Sequence, residues 1–347
     1  MIKVRRLYII GAGASCPYGL PTLKNLLWEL CQFLDQQKRN ILKTAIYEAC
    51  GVNLECPENS PDFEEFLNRL DAQSLLYLHE DQLNRLSSLR SKAATIALKG
   101  LRNFFLQKSR ALGTKVGPYD RLVASLDDKD AIVSFNWDIL LEVAFRRQNR
   151  KYSYISTESS KDSTLLLKPH GSINWYALLD RELLKIDLTA NVAVFGDDLT
   201  NYMLYLRNPL GRLDMGSSNI FAKRATSPLS AIVLPTPTMA LSVGGSTHDN
   251  WVDEGHIRAM RAVWKAFKDM VENANDLVVI GYSLPGTDSA AIDVLKEFRK
   301  RGARRLLSKR IVIIDKNRRI VERYQRIVYP NAKLISEDFN KFHPGML

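Results

Sequence analysis

The stretch Leu7-Tyr8-Ile9-Ile10-Gly11-Ala12-Gly13-Ala14-Ser15 constrains the chain more than any other. A short apolar β run ends in a glycine turn. Apolar residues at helical spacing follow, at Leu23, Leu26, Leu27, Leu30, Phe33 and Leu34. Strand, glycine turn and helix is how an open parallel sheet presents a nucleotide site: glycines let the backbone turn sharply, and free N–H groups face an anion. The dinucleotide fingerprint wants a third glycine where this chain has Cys16. A hydride-transferring Rossmann enzyme also carries an acidic residue about 20 positions on, at the end of a second strand. Asp35 is near that spacing, but it falls in a helical stretch. A tight βα turn without a ligand is the other reading of the loop.

The rest of the chain repeats the strand–loop–helix theme. Strands are expected at Asp130–Phe135, Leu165–Leu167, Ala231–Pro235, Asp276–Ile280, Arg310–Asp315 and Ala332–Ile335. Amphipathic helices are expected at Ile139–Arg147, Gly255–Val271 and Ser289–Lys300. The strand at Asp130–Phe135 is apolar on both faces, as a central parallel strand is. Residues 22–126 read as a helical block, with stretches at Ile41–Ala49, Phe63–Leu70, Leu75–Leu86 and Ala93–Phe105. Within it, Asp62 and Glu65 are spaced as a capping box. Residues 176–230 lose periodicity and are expected to form an irregular insertion or lid. The fold class is therefore α/β: a Rossmann-like doubly wound parallel sheet over 1–347, as a single domain with two insertions.

Charge and cysteine usage narrow the class. The four cysteines, Cys16, Cys31, Cys50 and Cys56, form no C-x-x-C pair, so a zinc ribbon and a structural metal are not expected. The basic start at Met1–Arg6 leads into an apolar run of only about four residues, a strand rather than a signal peptide. No apolar run approaches the roughly 20 residues of a membrane helix, and a cytoplasmic protein without membrane contact is expected. The net charge is +11, and residues 296–326 hold thirteen Lys/Arg against three Asp/Glu. That face suits an acidic partner, the phosphates of a nucleotide or direct nucleic-acid contact, or is a solvated surface of two helices. Phe298 and Tyr324 are its only aromatics, so base stacking is not suggested.

In a parallel sheet the strand-end loops share one edge. Here those loops are Gly11–Ser15, Asn136-Trp137-Asp138, His170-Gly171-Ser172, Gly281-Tyr282-Ser283 and Asp315-Lys316-Asn317. As a set they resemble the sirtuin-like, NAD-binding superfamily. The Gly-Ala-Gly-x-Ser loop with a later Gly-Ile-Pro matches Gly11–Ser15 and Gly19-Leu20-Pro21. The Gln-Asn-Ile-Asp strand end matches Phe135-Asn136-Trp137-Asp138, the His-Gly matches His170-Gly171, and the Gly-Thr-Ser-Leu matches Gly281-Tyr282-Ser283-Leu284. The zinc ribbon of the protein deacylases is missing, and Thr22-Leu23-Lys24 stands where they carry Asp-Phe-Arg. The runs Phe135–Asp138, Lys168–Trp175 and Ile280–Asp288 resemble instead the sirtuin-like NAD⁺ hydrolase domains of bacterial and archaeal antiphage defence systems.

The resemblance implies NAD as substrate, no metal, and the following roles. Asn136 stands at the nicotinamide ribose and orients a water. Asp138 lies near the carboxamide, and His170 is the base on a ribose hydroxyl or the water. Ala12, Gly13 and Ser15 cradle the pyrophosphate. Ser283 and Asp315 hold the adenosine half, and Gly11, Gly281 and Asn317 complete the cofactor-binding set. It also implies a homo-oligomer, for which the block 22–126 is the candidate contact. No effector module is recognised on the chain, so a separately encoded partner is expected at the basic 296–326 face: a translocase-type ATPase, an Argonaute-like protein or a signalling ATPase. Two other functions stay open: a protein deacylase or ADP-ribosyltransferase, and a non-catalytic module that senses NAD or ADP-ribose.

Overall fold

Seven short strands, all parallel, form the sheet on which the rest of the chain is hung. The computed structural model describes residues 4–72, 80–112, 116–154, 163–173, 175–177, 192–193, 204–206, 254–299, 309–336, 338–343 and 345. In chain order the strands are β1 (Arg6–Ile10), β2 (Ala131–Ser134), β3 (Tyr152–Ser153), β4 (Thr164–Leu167), β5 (Trp175–Ala177), β6 (Val192–Ala193), β7 (Leu204–Leu206), β8 (Asp276–Ile280), β9 (Arg310–Ile314) and β10 (Lys333–Ser336). The large sheet has the order β10-β9-β8-β1-β2-β4-β3, and β5-β7-β6 make a small antiparallel sheet.

The central strands are apolar because helices cover both faces of a parallel sheet. Leu7, Tyr8, Ile9 and Ile10 of β1 are buried, as are all residues of β2 and β8. Strand β1 lies between β2 and β8 in matching register, with Ile10 beside both Ser134 and Ile280. From β1 the sheet grows outward in both directions. The loops after β1 and its neighbours therefore diverge and leave a crevice at their carboxyl ends.

The connection from β1 to β2 is helical among the described residues. A 3₁₀ segment (Ala12–Tyr18) is followed by α1 (Leu23–Phe33), α2 (Gln36–Cys50), α3 (Phe63–Ala72), α4 (Glu80–Leu112) and α5 (Pro118–Ala124). Further along come α6 (Leu140–Arg147), α7 (Glu254–Asn273), α8 (Ser289–Lys296) and α9 (Arg319–Ile327). One sequence expectation changes here. The helical stretches placed at Leu75–Leu86, of which 75–79 lie outside the described residues, and at Ala93–Phe105 give way over 80–105 to a single helix, α4. The stretch Ser87–Lys92 is mostly polar, but Leu89 carries the apolar stripe from Leu86 to Ala93, and with neither Pro nor Gly nothing breaks the backbone.

The expected strand Ala231–Pro235 lies outside the described residues, as does most of 176–230. Residues 300–308 of the basic stretch also lie outside them. Of its described charges, several are engaged rather than presented as a free face. Lys309 is buried over the Phe298 ring at 4.3 Å, Arg310 pairs with Asp276 at 2.6 Å, and Lys316 lies 3.4 Å from Asp338. Among the described residues no helix is long and apolar enough to cross a membrane.

Candidate active site

Where β1 and β8 end, two loops meet backbone to backbone. The N–H of Gly11 donates to Ile280 O at 3.0 Å, and that of Gly13 donates to Gly281 O at 2.9 Å. Gly281 has φ +61°, and a Cβ there would lie 2.2 Å from the Ala14 nitrogen. The glycines thus permit a close approach that no side chain allows. This corrects one expectation. The Gly11 and Gly13 N–H groups are spent on β8 and its loop rather than left free for an anion, because the two strand ends touch.

Behind that contact lies a cavity of about 910 Å³. All eleven residues placed in the site from sequence line it: Gly11, Ala12, Gly13, Ser15, Asn136, Asp138, His170, Gly281, Ser283, Asp315 and Asn317. The parallel sheet brings them together from five strand ends more than 300 positions apart in the chain, from Gly11 to Asn317.

Asn136, after β2, is 7% exposed and acts as a hub. Its Nδ2 donates to Gly11 O at 3.0 Å and Ser15 Oγ at 3.0 Å, with Tyr119 OH at 3.3 Å. Ser15 Oγ in turn donates to Asp138 Oδ2 at 2.8 Å. Asp138 Oδ1 accepts the Leu140 N–H at 3.0 Å at the start of α6. Burial pushes the Asp138 carboxyl above its ordinary range, against the pull of Lys168. Asp138 and Ser15 therefore tie the β1 and β2 loops to each other.

His170 follows β4 in a β-turn closed by Gly171 N to Lys168 O at 2.9 Å. Pro169 takes the second position, where its fixed φ fits, and Gly171 takes φ +73°. Beneath the turn, Lys168 is buried. Its ammonium donates to Glu142 Oε1 at 2.8 Å, Ser172 Oγ at 2.7 Å and Asp138 O at 2.7 Å. The His170 ring meets the edge of Phe135 at 4.9 Å, and Phe135 stacks on Tyr282 at 4.3 Å. Trp137 Nε1 fixes the His170 carbonyl at 3.0 Å.

Three residues of this cavity, Tyr282, Glu64 and Arg323, and a fourth behind His170, Asp288, were not picked out as site residues by sequence. Asp288 Oδ2 lies 3.1 Å from His170 Nε2, and the Tyr282 hydroxyl donates to the same oxygen at 2.5 Å. The approach to His170 is off the N–H direction, so Nε2 is buried without an aligned hydrogen-bond partner. Burial would raise the Asp288 carboxyl, but the charge and contact of His170 and the Tyr282 hydroxyl bond hold it below the usual range. Its Oδ1 also caps α8 through Ala291 N at 3.3 Å. Glu64, on the first turn of α3, accepts a bond from Thr287 Oγ1 at 3.2 Å and is 4% exposed. Burial pushes its carboxyl up to about 7, against the opposing pull of His170. The last is Arg323, which lines the cavity and whose Nε is buried without a hydrogen-bond partner. The Asp315 carboxyl is raised by burial and accepts the Asn317 N–H at 2.7 Å.

The cavity thus has two chemically distinct parts. His170 and Glu64 bring proton-transfer groups to a buried setting, with the Asp288 carboxylate against His170 and the Asn136 amide as a hydrogen-bonding group. Asp315, Lys316, Asn317 and Arg323 offer hydroxyl and phosphate partners. Among the described residues no group of three or more His, Cys, Asp or Glu is placed to hold a metal.

No protein-family model matches this chain, and no curated protein matches it. Solved structures give low-similarity alignments. One titled as Sir2 with a p53 peptide and NAD⁺ aligns over 97% of this chain and 89% of its own, at 11% identity and TM-score 0.33. Another, of Sir2 bound to acetylated peptide, covers 97% and 89% at 12% identity and TM-score 0.35.

Proposed function

We propose that the protein hydrolyses NAD⁺ at the nicotinamide–ribose bond and releases nicotinamide and ADP-ribose. The observation that carries the reading is the buried His170 Nε2. It faces Asp288 without an aligned partner, in the same cavity as Asn136 and the glycine contact of β1 and β8. The strand-end motifs that resemble sirtuin-like NAD⁺ hydrolases support it. The residues also fit the substrate's parts. The uncharged glycine loop lines the same cavity as the Asp315, Asn317 and Arg323 group, which suits an adenosine ribose and phosphate.

Cleavage of this bond needs little push, because the leaving group is already cationic in the substrate. The protein's task is to hold the sugar, exclude stray nucleophiles and admit one water. In this reading His170 moves a proton at a ribose hydroxyl or the water, and Asp288 keeps the imidazole oriented. Asn136 orients the sugar and water from the β2 end. Asp138 and Ser15 act as positioning residues through the Asn136 hub. Glycines Gly11, Gly13 and Gly281 line the cavity where the two loops meet, and Ala12, Ser283, Asp315 and Asn317 line the nucleotide's path.

We place this activity as the NAD-depleting effector of an antiphage defence system. It acts there as a homo-oligomer in the cytoplasm, with a separately encoded partner. The test is chromatographic: NAD⁺ is incubated with the protein, and nicotinamide and ADP-ribose are measured for the parent and for His170→Ala and Asn136→Ala. Release by the parent and its loss in both folded variants is the expected result. A His170→Ala protein that cleaves NAD⁺ at the parental rate refutes the assignment.

A further inference from the structure

We infer that Glu64 is a catalytic residue of this cavity, the general base that accepts the proton of the attacking water. The inference rests on the NAD⁺ hydrolase reading and adds a residue that the strand-end motifs do not contain.

Glu64 is placed as a reactive group rather than a structural one. Helix α3 is already capped by Asp62, whose Oδ1 accepts the Glu64 N–H at 2.8 Å. The neighbouring Glu65 behaves as an ordinary surface acid, half exposed and paired with Arg69 at 2.7 Å. Both side chains line the cavity, but Glu64 is buried there while Glu65 reaches solvent and its arginine partner. Among the described residues no Lys or Arg forms an ion pair with it. Its hydrogen bond comes from the neutral hydroxyl of Thr287. A buried carboxyl held by one hydroxyl is poorly solvated as an anion, and a glutamine would satisfy the same partner. The charged groups that face it are Asp62 at the start of its own helix, His170 on the β4 loop and Asp288 at the start of α8. That balance of burial, one imidazole and two carboxyls leaves it poised at about 7, where a base must be able to take and release a proton.

The step balances as follows. The bond from the ribose C1′ to the pyridinium nitrogen breaks, and its electron pair neutralises that nitrogen, so nicotinamide leaves uncharged. The water oxygen bonds to C1′, and one water proton passes to the Glu64 carboxylate. Glu64 then loses that proton to solvent. The sum is NAD⁺ and water giving nicotinamide, ADP-ribose and one proton. His170, beside Asp288, is left to the ribose hydroxyl.

The experiment compares the full chain with Glu64→Gln and Glu64→Ala. Glu64→Gln is expected to lower kcat by about 100-fold or more and to move KM by less than about threefold. The acidic limb of kcat/KM should flatten in the same variant. Azide is an anionic nucleophile that needs no base. It is expected to restore cleavage in Glu64→Ala, with 1-azido-ADP-ribose as product, which a purely structural role would not produce. Infrared difference spectra of the parent minus Glu64→Gln, which need no turnover, should show the protonated carboxyl band vanishing near pH 7. Parental kcat and pH profile in Glu64→Gln, no azide rescue, or a carboxyl ionised throughout the range overturns the inference. If His170→Ala alone abolishes release, the hydrolase reading stands and only the role of Glu64 falls. If the parent leaves NAD⁺ intact, the reading beneath it falls.

Discussion

His170 Nε2 and Asp288 Oδ2 lie 3.1 Å apart, both buried, although 118 positions separate them in the chain. The relationship does two jobs. It sets a carboxylate against an imidazole, and it favours the ionised form of that buried carboxylate. Asp288→Asn is therefore expected to slow nicotinamide release by on the order of 10²-fold with little change in KM. Its effect on stability has a definite sign. The folded value of Asp288 lies below its ordinary 3.8, so the carboxylate stabilises the fold above that pH and the contribution is lost as pH falls through the folded value. Thermal unfolding should show Asp288→Asn clearly less stable than the parent near about pH 7, with the gap closing toward about pH 3. A gap that widens in acid is incompatible with this pairing.

The meeting of Gly281 with the Gly13–Ala14 backbone is steric, and a matched pair of substitutions separates sterics from φ alone. Gly281 has φ +61° and a Cβ there would sit 2.2 Å from backbone, whereas Gly19 has φ +80° with open space around it. Gly19→Ala is expected to cost about 1 kcal/mol, the left-handed strain by itself. Gly281→Ala adds a collision that only backbone movement relieves, and about 3 kcal/mol or more is expected. Urea unfolding of the two variants measures the difference. Equal losses would mean that the two loops separate freely.

The contrast explains what was legible in the sequence and what was not. Parallel strands put their polar ends on one edge, so Asn136, His170, Gly281 and Asp315 could be gathered from motif order alone. Glycine spacing, however, does not say whether N–H groups face an anion or a neighbouring strand, and Gly11 and Gly13 do the second. Glu64 reads locally as one of several acids in a helix's first turn, where carboxylates are favoured anyway. Only the return of α3 to the sheet edge turns it inward. Asp288 reads as the cap of α8, and it is one, but the same carboxyl also meets His170. Lys168 reads as a charge in a loop, and its burial depends on Glu142, 26 positions away.

Glu64 makes a prediction that needs no activity. Its carboxyl is raised from 4.5 to about 7, so between those values the folded state binds more protons than the unfolded chain. Stability is then expected to fall as pH rises through that interval and to level off above it. Gln does not titrate, so Glu64→Gln should match the parent near about pH 4 and exceed it by up to roughly 3 kcal/mol near about pH 8. Urea midpoints at the two pH values decide this, and a variant that is less stable at the alkaline end contradicts the burial of an ionisable Glu64.

The strut beneath the His170 turn separates stability from activity. Lys168 and Glu142 are each 1% exposed at the side chain and 2.8 Å apart, and Tyr154 donates to the same Glu142 oxygen at 3.0 Å. Removing one member strands a buried charge, so Lys168→Met is expected to lose about 3–5 kcal/mol. Removing both charges costs far less, and Lys168→Met with Glu142→Leu should regain most of that loss. Activity should not follow. The Lys168 ammonium also holds Asp138 O and Ser172 Oγ, the two loops that carry Asn136 and His170. Neither Met nor Leu replaces those bonds, so the double variant is expected to be folded and slow, with kcat down by at least about tenfold at near-parental urea midpoints. Recovery of kcat together with stability would mean that packing alone, without the ammonium, sets the two loops.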